Sequence, residues 1–165
     1  MSMALPDKVK FPWIDAEVNV VDDFTEPTGE EHLALAGMMR WSDSLRTKIE
    51  RACYADYLDK VDAIAASPPT VPVIKRPADI WAHVKVSSVR PQGPDMIVVY
   101  AVPEWDVEEQ HEWCIKGADD LVYVGQVLCY DPPSYSGIND FTNSARNYDD
   151  IIKKLGHLPL KWSNA

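Results

Sequence analysis

Met96-Ile97-Val98-Val99-Tyr100-Ala101-Val102 is an unbroken apolar run of strand length, and the segments on either side of it set the fold class. Before it, Val84-Lys85-Val86-Ser87-Ser88-Val89 alternates as a half-buried strand does, and Gln92-Gly93-Pro94-Asp95 carries the turn chemistry that joins the two. After it, 112–116 and 121–127 read as two further strands, with Gly117-Ala118-Asp119-Asp120 as a hairpin loop. The middle of the chain is therefore expected to be an antiparallel meander with the apolar run near its centre.

Helical signals lie outside this meander. Ala16-Glu17-Val18-Asn19-Val20-Val21, between Pro12 and Asp22-Asp23, predicts a first strand at a sheet edge. Thr28 and Glu31 have capping-box spacing, which predicts a helix over 29–40. Ser42 caps a second helix, in which Leu45, Ile49, Cys53, Tyr57, Val61 and Ile64 recur at steps of a buried stripe, ending near Ala66. Pro68, Pro69, Pro72 and Pro77 make 67–77 a rigid connector, and Pro77 opens a short helix over 77–83. The segment 130–143 reads as an ordered surface loop. A last helix over 145–155 carries Lys153 and Lys154 in its final turn and Gly156 beyond it. Early and late helices around a strand block predict α+β architecture, an antiparallel β-meander with helices packed on one face, in a single domain over 1–165.

Composition narrows the function classes. The 165 residues include 46% hydrophobic and 25% charged side chains, enough for a globular core. A formal charge of -10 and a pI near 4.7 disfavour nucleic acid and favour a cationic partner. Cys53, Cys114 and Cys129 form no CxxC pair, as expected in a reducing compartment. No apolar run approaches the ~18 residues of a membrane span, and the N-terminus has no signal-peptide core. A cytoplasmic protein without membrane attachment is expected.

The densest chemistry lies in Pro103-Glu104-Trp105-Asp106-Val107-Glu108-Glu109-Gln110-His111-Glu112-Trp113. Glu108 and His111 stand at ExxH spacing, which on a helix would put two metal ligands on one face. Strand-like neighbours deny the motif that helix, so a solvated hairpin end with inward tryptophans is the better reading. Asp106 with Glu108 or Glu109 could form an acid/base pair, but adjacent acids on one loop seldom have the different environments such a pair needs. Cys53 and Cys114 fall on core positions, where cysteine is usually inert packing, while Cys129 lies nearer a loop. His32, His83 and His157 read as structural. Phosphate loops, nucleophile elbows and dinucleotide fingerprints are absent from the sequence. Tyr130, Tyr135 and Phe141, with Pro132 and Pro133, either anchor an interface or fold back over the sheet edge.

Trp105-Asp106-Val107-Glu108-Glu109-Gln110, followed by a strand, a turn and Leu121-Val122-Tyr123-Val124-Gly125, resembles an uncharacterised bacterial domain family with the signature WDxEHG. The likeness runs from about Val18 to Gly125. Trp105, Asp106 and Glu108 match, whereas Glu109 replaces the family's His and Gln110 its Gly, removing the natural ligand or base. The resemblance implies an immunity protein of polymorphic toxin, type VI or contact-dependent inhibition systems. Such a protein binds and neutralises a cognate, basic toxin such as a nuclease, without catalysis, metal or cofactor. Partner contacts are then expected from Glu104, Asp106, Glu108, Glu109 and Glu112, with Tyr130 and Tyr135 as anchors. The rival readings are a small metal-dependent hydrolase using the acidic cluster at 104–112, and a secretion-system adaptor or chaperone.

Overall fold

The computed structural model describes residues 4–21, 27–64, 71–106, 108–127 and 143–159. Six strands form one sheet in the order of the chain: β1 (Lys8–Lys10), β2 (Glu17–Val20), β3 (Val84–Gln92), β4 (Met96–Pro103), β5 (His111–Lys116) and β6 (Asp120–Gln126). The helices are α1 (Gly29–Gly37), α2 (Asp43–Ala63) and α3 (Ser144–Leu155), with 3-10 turns at Met38–Arg40 and Pro77–Ala82. This is the expected α+β arrangement, with β3 to β6 as the antiparallel meander.

Two details differ from the sequence reading. The edge strand is β1, whose short Lys-Val-Lys stretch has too little period to be read alone, and β2 lies inside it. The β2–β3 pair is parallel, with Asn19 opposite Ser88 and Val20 opposite Val89. Parallel neighbours require a crossover rather than a tight turn. Here α1 and α2 lie in that crossover, between β2 and β3 in the chain.

Helix ends follow local chemistry. Thr28 and Glu31 complete the capping box: the Thr28 hydroxyl accepts from Glu30 N at 3.3 Å, and Glu31 Oε2 accepts from Thr28 N at 2.7 Å. Ser42 Oγ accepts from Leu45 N at 3.0 Å at the start of α2.

One core lies between the helices and the facing side of the sheet. Leu45, Ile49, Leu58 and Val61 of α2 join Val89, Val99, Trp113 and Val124 there. Register irregularities give β3 and β6 their core-facing residues. A shift between Val86 and Ser88 lets Val86 and Val89, three apart, both face core partners, Ala101 and Val99. A second shift, opposite Cys114 and Ile115, does the same for Leu121 and Val124. The opposite face buries a smaller cluster of Met96, Val98, Cys114, Val122 and Tyr123. Gly93 and Gly117, both at φ 64°, close the β3–β4 and β5–β6 turns in the left-handed region, where a Cβ would be strained.

Asn143 joins α3 to the outer strand. Its side chain is 0% exposed and behaves as a fragment of a seventh strand. Nδ2 donates to Val122 O at 2.8 Å, and Oδ1 accepts from Val124 N at 3.2 Å and from Ala145 N at 3.1 Å. One carboxamide thus closes part of the β6 edge and caps α3. Among the described residues, no helix is long and apolar enough to cross a membrane.

Candidate functional site

The acidic cluster occupies the turn between β4 and β5, and its charges divide sharply by environment. Glu104 is 58% exposed in its side chain, with Oε2 2.9 Å from His83 Nδ1. Its backbone N–H also donates to His83 O at 2.8 Å, so both residues are fixed to the end of the 77–82 turn. Glu108, Glu109 and Gln110 are exposed. Asp106 N donates to Pro103 O at 3.3 Å, and Glu109 N donates to Asp106 O at 3.4 Å, which shapes the bend.

Beneath this rim the flanking residues are pinned to α2. Trp105 is buried, and its Nε1–H donates to Asp56 Oδ2 at 2.9 Å. His111 is 1% exposed, and its Nε2 lies 3.1 Å from the same Asp56 oxygen. Lys60, four residues along α2 from Asp56, reaches Asp106 at 3.4 Å. Tyr57 packs edge-on to Trp105 at 5.7 Å, and its hydroxyl bonds the connector through Pro72 O at 2.9 Å and Ile74 N at 3.0 Å. One face of α2 therefore holds both the proline connector and the acidic turn.

Burial is the largest influence on the Asp56 carboxyl and pushes its pKa up. His111, the Trp105 indole and Lys60 together outweigh that push and hold it below the usual carboxylate value. The folded-state pKa being depressed, the associated stability is fully present above the unfolded value and is lost as pH falls through the folded one. Urea titrations of the wild type should show a drop in stability as pH is lowered from about 5 to about 2, and Asp56→Asn should flatten that drop. Equal acid slopes in both proteins would show that Asp56 is not a contributor.

Several placements correct the sequence reading. Glu112 is not part of the charged surface: it sits on β5, opposite Tyr100 and Gly125, and is 0% exposed. The strand begins at His111, so period-two alternation sends Glu112 to the face opposite Trp113, and that face is buried as well. Asp106 is only 10% exposed in its side chain and is paired with Lys60, so it is a buttress rather than an offered charge. Tyr130, Tyr135, Phe141 and Cys129 lie outside the described residues. Glu108 and His111 share no helical face, in keeping with their strand-like neighbours in the sequence: one is on an exposed turn and the other is a buried strand residue. Among the described residues, no group of three or more His, Cys, Asp or Glu side chains is placed to hold a metal ion. Cys53 and Cys114 are buried free thiols; burial is the main reason that Cys53 is pushed up and Cys114 raised to about 12.

Asp56 and Lys60 were not singled out by the sequence. A faint signal existed: buried indoles seek acceptors, and a carboxylate beside the apolar stripe of a long helix can supply one. Glu50 repeats the device one end over, with Oε1 accepting from Trp81 Nε1 at 2.8 Å and from Arg46 Nε at 3.0 Å.

A mostly antiparallel six-stranded sheet, helices over one face and an acidic turn clamped at one end define this α+β domain. Residues 5–130 match the model of the family described as a domain of unknown function, DUF6985, and the chain belongs to that family. The match takes in β1 to β6 and stops short of α3. Comparisons with curated proteins and with solved structures give no match.

Proposed function

We propose that this protein is an immunity-type binding protein that neutralises a basic bacterial toxin in the cytoplasm, with the β4–β5 turn as its charged contact. The observation that carries this reading is the division within the turn. Glu104, Glu108 and Glu109 are exposed, while Trp105 and His111 beside them are buried against α2, Trp105 through a hydrogen bond to Asp56 and His111 through a 3.1 Å contact with it. Exposed carboxylates on an anchored turn suit recognition of a cationic surface, because complementary charge speeds encounter and a pre-ordered loop loses little entropy on docking. The overall charge of -10 acts in the same direction. The resemblance around Trp105, Asp106 and Glu108 supplies the toxin as the partner class.

Co-expression with the product of the adjacent gene tests the reading: a stable complex and restored growth are expected. A toxin that kills equally well with and without this protein would end it. Within such a complex, Glu104→Lys, Glu108→Lys and Glu109→Lys together should weaken binding by roughly 10–100-fold, mostly through slower association at low salt. Unchanged affinity of that triple variant in a complex that does form would move the contact to another face.

A further inference from the structure

Both ends of the acidic turn come to rest on a single atom. Asp56 Oδ2 accepts from Trp105 Nε1 at 2.9 Å and lies 3.1 Å from His111 Nε2. Trp105 directly follows the exposed Glu104, and His111 directly follows the exposed stretch Glu108-Glu109-Gln110. Lys60 adds a third tie from the same helix, at 3.4 Å to Asp106.

We infer that Asp56 is the positioning residue of the acidic turn: its carboxylate, on α2, draws Trp105 and His111 together and so fixes where Glu104, Glu108 and Glu109 stand. The role rests on the binding reading only for its purpose; the positioning itself is a property of the free protein. A charged acceptor suits the task better than a neutral one, since bonds to a carboxylate are shorter and about twice as strong as bonds between neutral groups. The titratable groups around it are His111 from β5 and Lys60, Asp59 and Cys53 from its own helix, and Asp106 of the turn meets the same Lys60. The Trp105 indole and the His111 ring both meet Asp56, while Lys60 reaches Asp106.

Amide hydrogen exchange on the full chain, read by NMR, tests this without any partner. In Asp56→Asn, the amides of Asp106 and Glu109, and of Val127, which donates to Gln110 O at 3.2 Å, should exchange about tenfold faster. Val89 and Val99 in the sheet core should stay within about twofold. Unchanged turn amides overturn the inference. Equal loss of protection throughout the molecule also overturns it, because it marks a residue that supports the fold generally. The Trp105 indole N–H resonance adds a readout that packing alone does not move: it should shift in acid as the Asp56 carboxyl titrates, and this shift should vanish in Asp56→Asn. If that variant does not fold, His111→Phe keeps a ring but removes both ring nitrogens while leaving the carboxylate, and it should loosen the same amides; a turn as protected as in the wild type would overturn the inference. These outcomes are independent of toxin binding. Intact positioning with no complex formed sinks the binding reading alone, and a complex formed by a protein whose turn ignores Asp56 sinks the positioning alone.

Discussion

Asn143→Leu should lower the unfolding free energy by roughly 3 kcal/mol, because a leucine of similar size satisfies none of the three backbone groups that the carboxamide holds. Val122 O and Val124 N lie on β6, at 0–7% exposure of their residues, and would be left without this partner. A buried backbone group that loses its bond costs about 1–3 kcal/mol, and loss of a helix cap costs about 1 kcal/mol more. For a chain of this length the shift in Tm should be roughly 6–12 °C. Asn143→Asp separates the contributions: its oxygens can still accept from Val124 N and Ala145 N, but it turns a second acceptor toward Val122 O. It should therefore be clearly destabilised despite keeping a good capping residue. Chemical denaturation followed by circular dichroism measures both variants. A loss below about 1 kcal/mol for Asn143→Leu would mean that β6 and α3 are joined by packing instead.

What could be read in the sequence was set by local patterning. The Met96 run, the Gly93 and Gly117 turns and the Thr28 and Ser42 caps are specified by residues close to one another in the chain, and the elements formed where these signals stand. The parallel β2–β3 contact was illegible because it depends on the sheet closing over a distant segment, and Glu17–Val20 looks the same at an edge or one strand in. The Val86/Ser88 bulge hid for a related reason: strict alternation puts Val86 and Ser88 on one face, and only pairing with β4 shows that Val89 belongs beside Val86. The acidic turn was located correctly, and Trp105 and Trp113 do turn inward, but its acids could not be sorted from sequence alone. Glu109 and Glu112 look alike as letters. One is on the bend and the other one residue into a strand with both faces covered, so a boundary error of a residue or two reverses the conclusion. Asp56 was missed because its partners are on other elements, Trp105 being 49 positions away.

The two tryptophans that bracket the turn should respond very unequally to the same conservative change. Trp105→Phe keeps most of the ring against Tyr57 but deletes the N–H that meets Asp56 Oδ2, leaving a half-buried carboxylate with one fewer donor. A hydrogen bond to a charged group contributes about 1.5–3 kcal/mol, so a loss of roughly 2 kcal/mol is expected before any packing defect is added. Trp113 is 0% exposed and meets Trp81 edge-on at 5.9 Å, but among the described residues its Nε1 has no hydrogen-bond partner. Replacing it with phenylalanine removes a buried, unpaired donor, and relief of that desolvation offsets part of the lost ring contact. Trp113→Phe should therefore stay within about 1 kcal/mol of the wild type. Alanine abolishes the distinction, since either truncation opens a cavity costing roughly 3–5 kcal/mol. Urea titrations at neutral pH measure all four variants, and a phenylalanine at 113 more damaging than one at 105 would refute this ordering. Acid titration adds an independent check. With the indole donor gone, one of the influences that depress the Asp56 carboxyl is lost, so its pKa rises toward the unfolded value and Trp105→Phe should lose less stability than the wild type as pH falls. Trp113→Phe should retain the full acid slope, because its ring nitrogen is not among the groups that hold the Asp56 carboxyl down.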